Sequence, residues 1–151
     1  MNQDYRELFR IFNAHEVKYM VVGAYAVIYY AEPRYTKDLD IWVEPTQENA
    51  DRVWKALAEF GAPLEGVTRE DLSDKELIYQ VGVAPNRVDV MMHVPGLEFS
   101  KAWERKEEST YGGETIHVLH IDDLIHAKRT TNRDEDRADV KRLEEAKAFW
   151  R

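Results

Sequence analysis

The chain has no cysteine among its 151 residues. Disulfides, thiolate catalysis and cysteine-bound zinc are therefore all excluded. Long apolar runs are missing too: no stretch approaches the ~18 residues a membrane helix needs. The first residues, Met1-Asn2-Gln3-Asp4-Tyr5-Arg6-Glu7, carry none of the apolar core of a secretion signal. These absences lead us to expect a cytoplasmic protein with no membrane partner. Basic residues are in deficit, 21 Lys and Arg against 29 Asp and Glu, for a formal charge of −8. Such a balance argues against tight, extended binding of nucleic acid, which rests on cations meeting phosphates. A nucleoside triphosphate stays admissible, because a few local cations and divalent ions can neutralise it. With 44% hydrophobic and 11% aromatic residues the composition is that of a folded globule. Its length suits one domain spanning residues 1–151, and no repeat, linker or low-complexity segment divides it.

Acidic residues, by contrast, are placed with a pattern. Asp38 and Asp40 lie in Asp38-Leu39-Asp40-Ile41-Trp42-Val43, and Asp89 lies in Arg87-Val88-Asp89-Val90-Met91. Residues two apart on a strand share a face. Asp38 and Asp40 therefore project together while Leu39, Ile41 and Val43 turn to a core, and Asp89 likewise points away from Val88 and Val90. Three carboxylates on one sheet face repel unless a cation lies between them, and hard oxygen ligands suit Mg²⁺ or Mn²⁺. Asp-x-Asp alone is more often a solvated strand face. The context upstream adds weight: the apolar strand ending Val21-Val22 runs into Gly23-Ala24 and a short helix. A glycine there serves a tight turn or lets backbone approach a phosphate, with the helix N-terminus offering free N–H groups.

Helical periodicity predicts helices at 3–15, 24–31, 46–60, 99–106, 121–131 and 134–150, with a short helix at 68–72. Strands are expected at 17–22, 39–43, 77–83, 87–93 and 115–119. The order α-β-α-β-α-β-β-α-β-α-α predicts an α+β fold, a mixed sheet with helices mainly on one face and extra C-terminal helices. Trp42 shares the face of Asp38 and Asp40. It borders a base pocket or, more ordinarily, packs under a helix. The histidines are scattered, and none has a zinc spacing.

Taken in order, Val21-Val22-Gly23-Ala24, Arg34-x-Thr36-x-Asp38-Leu39-Asp40, Val88-Asp89-Val90, Ile121-Asp122-Asp123-Leu124-Ile125-x-x-Lys128 and Arg133-x-x-Asp136-x-x-Asp139 resemble the DNA polymerase β superfamily of nucleotidyltransferases. The likeness is strongest to AbiEii-type toxins and minimal nucleotidyltransferases of bacteria, and covers roughly residues 17 to 145. It rests on the combination and order of motifs. The resemblance implies a nucleotidyltransferase fold and a two-metal transfer from an NTP, such as ATP, to a hydroxyl. Asp38 and Asp40 would hold the metal that grips the triphosphate, and all three aspartates the metal beside the attacking hydroxyl. Gly23, Ala24 (by its backbone N–H), Arg34, Thr36 and Lys128 would contact the nucleotide. Implied acceptors are a tRNA end or a protein hydroxyl, and an implied role is the toxin of a toxin–antitoxin pair with an antitoxin as partner.

Each of these has an ordinary counterpart. Arg34 and Thr36 equally anchor a loop, Lys37 is a solvated charge, Lys128 extends to solvent, and Arg133, Asp136 and Asp139 tie the last helices together. Two departures from the pattern stand out: Ala24 replaces the usual second Gly or Ser, and Glu135 stands where relatives often carry a base. They favour a non-catalytic binding module that kept the fold. The acidic balance favours a third reading, transfer to a cationic small molecule.

Overall fold

The computed structural model describes residues 1–31, 38–83 and 85–149. Its elements follow the hydrophobic pattern closely: α1 (Gln3–Ala14), β1 (Tyr19–Val22), α2 (Gly23–Tyr30), β2 (Asp38–Val43), α3 (Gln47–Phe60), β3 (Ile78–Val81), β4 (Arg87–Met91), α4 (Phe99–Arg105), β5 (Glu107–Tyr111), β6 (Glu114–Val118), α5 (Ile121–Thr131) and α6 (Asp134–Lys147), with a 3-10 turn at Glu70–Ser73. The six strands form one mixed sheet in the order β3-β4-β2-β1-β6-β5. β2 is antiparallel to β1 and parallel to β4, and β1 is parallel to β6. This is the expected α+β architecture.

One strand differs from expectation. Glu107–Tyr111 pairs antiparallel with β6 through the turn at Gly112-Gly113. Apart from Tyr111, which meets Phe9 edge to face, Glu107-Glu108-Ser109-Thr110 is polar because it belongs to an edge strand with little surface to bury, so the segment lacks the apolar alternation that marks its neighbours.

Alternation decides what β2 does. Leu39, Ile41 and Val43 are buried, while Asp38 and Asp40 are only partly so. Trp42 breaks the polar side of this pattern. It is fully buried because Phe99 of α4 meets its ring edge to face, with centroids 5.1 Å apart. Trp42 is thus an aromatic under a helix, and the carboxylates occupy the uncovered end of the same strand face.

The helix ends are chemically explicit. Asn2 caps α1, accepting from the Asp4 and Tyr5 amides. Thr46 caps α3 by accepting from Asn49 N, and Gly61 ends that helix in the left-handed region. Asn49 is buried and does not complete a capping box. Its side chain instead accepts from Lys18 N and donates to the carbonyls of Lys18 and Glu44. The α1 end is also pinned to the start of β4: the single proton of the Tyr5 hydroxyl is shared between the carbonyls of Arg87 (2.8 Å) and Pro85 (3.0 Å). Among the described residues no helix is long and apolar enough to cross a membrane.

Candidate active site

The parallel pairing of β2 with β4 sets Asp40 opposite Asp89 and Asp38 opposite Arg87. Adjacent strands lie about 4.8 Å apart, so the three aspartates occupy a single patch of sheet. Val22, the last residue of β1, is opposite Asp40 on the other side. The chain turns there into α2, and Gly23 has φ +66°. A Cβ at Gly23 would lie 2.2 Å from Asp40 Oδ2. Glycine is therefore required twice, by the left-handed backbone and by the space Asp40 fills. The Asp40 carboxylate consequently sits at the N-terminus of α2, where no side chain caps the helix and the peptide dipoles favour negative charge. Ala24 lies in that first turn.

Burial first, then the charges of Asp89 and Asp38, push the Asp40 carboxyl up to about 7, against the opposing pull of Lys128 and Arg87. For this carboxyl, burial and like-charged neighbours outweigh the positive charge around it. Arg87 supplies part of that charge. Its Nε donates to Asp89 Oδ1 at 3.0 Å and its Nη2 to Asp89 Oδ2 at 3.3 Å, while Nε lies 3.7 Å from Asp38 Oδ1. Arg87 is not among the site residues expected from the motifs, although its two-residue spacing from Asp89 places it on the same face.

Among the described residues, no group of three or more His, Asp or Glu side chains is arranged as a ready metal cage. Both Asp89 oxygens face the guanidinium instead. The donor set still suits a hard divalent cation: three carboxylates on one face, two in register, one of them destabilised in its charged form.

Lys128 neither extends to solvent nor stands free for a phosphate. It is buried on α5, with Nζ 3.1 Å from Asp139 Oδ2 and 3.5 Å from Asp136 Oδ1, both carboxylates on α6 and fully buried. Asp136 also accepts from Thr131 Oγ1, from the Arg133 amide and from the Arg133 guanidinium. Burial alone would raise its pKa, yet these hydrogen bonds and Lys128 hold it well below the ordinary carboxylate range. Arg133, Asp136 and Asp139 therefore form an internal network joining α5 to α6. Arg129 is likewise paired, with Glu144 at 2.7 Å. A cleft of about 160 Å³ lies between this network and the sheet, bordered by Gly23, Asp40, Lys128 and Arg133 and by apolar Val22, Met91, Pro95 and Leu124.

Arg34, Thr36 and Lys37 lie outside the described residues. The two histidines nearest each other in sequence have separate partners. His120 Nδ1 accepts from Asp122 N to cap α5. His117 packs between Tyr19 and Trp103, its pKa lowered by burial and by Lys106.

Residues 1–148 match the family described as nucleotidyl transferase of unknown function, DUF2204. The chain belongs to that family. Two solved structures share the fold. One is TM1012 of Thermotoga maritima, itself described only as a candidate nucleotidyltransferase, with a TM-score of 0.61 and 16% identity over 91% of this chain and 88% of that one. The other is the lincosamide antibiotic adenylyltransferase LnuA, lincomycin-bound, with a TM-score of 0.60 and 13% identity over 95% of this chain and 96% of that one. No curated protein sequence is significantly similar to the chain. The wider resemblance to nucleotidyltransferases is thereby upheld at the level of family and fold, without the toxin subclass.

Proposed function

We propose that the protein transfers a nucleotidyl group from an NTP to a hydroxyl, with Asp38, Asp40 and Asp89 as the residues that hold divalent metal. The supporting observation is the register of β2 and β4, which sets Asp40 beside Asp89 and next to the glycine turn. Divalent cations bound by these carboxylates would draw in the triphosphate and acidify the attacking hydroxyl. The chain's own residues supply the rest. Gly23 and Ala24 present backbone N–H groups at the start of α2 to a phosphate oxygen. Asp89, at the edge nearer β3, accepts the proton of the acceptor hydroxyl. Asp136 and Asp139 fix Lys128, whose charge acts on Asp40 across the cleft. The apolar wall of the cleft excludes water from one side of the reacting phosphate.

A tRNA end or a protein hydroxyl is the acceptor that the toxin-like motifs support, with an antitoxin as partner. A second reading, transfer to a cationic small molecule, is favoured by the charge of −8 and by the near-equal length of match to LnuA. One experiment separates them: pure protein, Mg²⁺ and each labelled NTP, incubated with total tRNA, with cell protein, or with aminated small alcohols. Label appearing in any one fraction identifies its acceptor. Label in none of them, from any NTP, would sink the enzymatic reading in favour of a non-catalytic module.

A further inference from the structure

We infer that Arg87 is, among the described residues, an internal counterion of the acidic face, holding Asp89 and giving it up when a divalent cation enters. The inference rests on the reading that Asp38, Asp40 and Asp89 bind metal. Arg87 begins β4 in register with Asp38, and its guanidinium meets both Asp89 oxygens while lying 3.7 Å from Asp38. Of the three carboxylates, one is thus doubly hydrogen-bonded and a second closely approached by a single cation. The Asp89 side chain is only 13% exposed, so this is no loose surface pair, whereas Arg87 at 37% has a route outward. Its backbone has none. The Arg87 carbonyl accepts from Tyr5 Oη, and its strand is laddered to β2. Any exchange is therefore a swing of the side chain over a fixed main chain.

Guanidinium and metal compete at Asp89. The Arg87 fork engages both of its oxygens, and a cation brought against the same carboxylate would set two positive charges side by side, which repel. Metal alone must break the Arg87 fork without offering the guanidinium a new anion. Metal arriving with a triphosphate does offer one, because phosphate oxygens accept the same planar fork. Arg87 thereby makes metal and nucleotide binding mutually reinforcing, and by linkage each tightens the other by the same factor.

Electron paramagnetic resonance of free Mn²⁺ at pH 8 tests this in wild type, Arg87→Met and Arg87→Lys, with and without a non-hydrolysable ATP analogue. Arg87→Met is expected to bind Mn²⁺ about tenfold tighter than wild type without nucleotide, as expected from removing a charge-assisted fork. The analogue should then tighten Mn²⁺ less than it does in wild type. Arg87→Lys keeps a charge but loses the fork and should fall between, which preserves the test if the Met variant does not fold. Melting in EDTA should fall for Arg87→Met and recover with Mn²⁺. Unchanged or weaker Mn²⁺ binding in folded Arg87 variants would overturn the inference. Asp89→Asn in the wild-type background guards the premise. If it leaves Mn²⁺ binding unaltered, or wild type binds none under either condition, the metal reading fails and takes this inference with it. If wild type binds through Asp89 and the Arg87 variants bind no tighter, only the role of Arg87 is lost.

Discussion

Asp40 fills the space that a side chain at Gly23 would need: a Cβ there would stand 2.2 Å from Asp40 Oδ2. The glycine and the aspartate are thus one structural unit across the β1–β2 pair. Gly23→Ala should destabilise the fold by about 2–4 kcal/mol, combining left-handed strain with overpacking. Adding Asp40→Ala should recover the steric part and leave only the backbone part. Urea denaturation of the two single variants and the double variant measures this. Simple additivity would show that the contact carries no energy.

Asp89→Asn keeps the shape of the side chain but removes its charge and its ability to take a proton. Turnover is expected to drop about a thousandfold or more, the scale associated with loss of one charge-stabilising group. NTP should still bind, because the α2 turn and the β2 aspartates remain. Single-turnover transfer and nucleotide titration, done side by side, distinguish the two effects. Wild-type turnover in this variant would disprove the assigned role.

Much of this site is legible in the amino-acid pattern. Period-two alternation puts Asp38 and Asp40 on one face and Asp89 on a second strand, and the glycine turn announces the start of α2. Arg87 obeys the same arithmetic as Asp89 and is within reach of it. Lys128 is not. Its pairing with Asp139 depends on how α5 packs on α6, a tertiary relation to which no local spacing points, whereas Arg133 with Asp136 is an ordinary i,i+3 pair. Trp42 is ambiguous in sequence for the same reason: only the position of Phe99 decides which end of the strand face is covered. β5 is hidden by its polarity, since an edge strand has no need of the pattern by which strands are recognised.

The Asp40 carboxyl gives the metal-free protein a specific pH signature. Its value in the folded state is raised from the ordinary 3.8 to about 7. Between these values the folded chain holds a proton that the unfolded chain has released. This contribution to stability is fully present below 3.8, falls as pH rises, and is gone above about 7. Asp136 has the opposite sign: its stabilisation is present above the ordinary carboxylate range and lost in acid. The two windows barely overlap. Melting temperature from pH 4 to 8 in EDTA, wild type against Asp40→Asn, should show the wild type losing ground as pH rises. Parallel curves would contradict the assignment.

The Lys128 network offers the sharpest contrast in stability. Lys128 lies between two fully buried carboxylates, so removing one leaves a buried charge poorly compensated. Breaking a buried pair from one side costs about 3–5 kcal/mol, most of it the penalty on the surviving partner. Asp139→Ala should therefore cost that much. Arg142, the half-exposed partner of Asp139 at 3.2 Å, should cost under about 1 kcal/mol when changed to Ala. Replacing Lys128 by Met and Asp139 by Leu together should cost much less than the sum of the single changes, because neither charge is stranded. The double variant also separates folding from chemistry. If Lys128 serves only to join α5 to α6, it should be stable and keep full activity. If its charge supports Asp40 across the cleft, it should be stable and impaired, with its activity profile displaced toward higher pH. Denaturation curves and pH–rate profiles on the same protein decide between these outcomes. A double variant as unstable as Asp139→Ala would show that the network is held by something other than the pair.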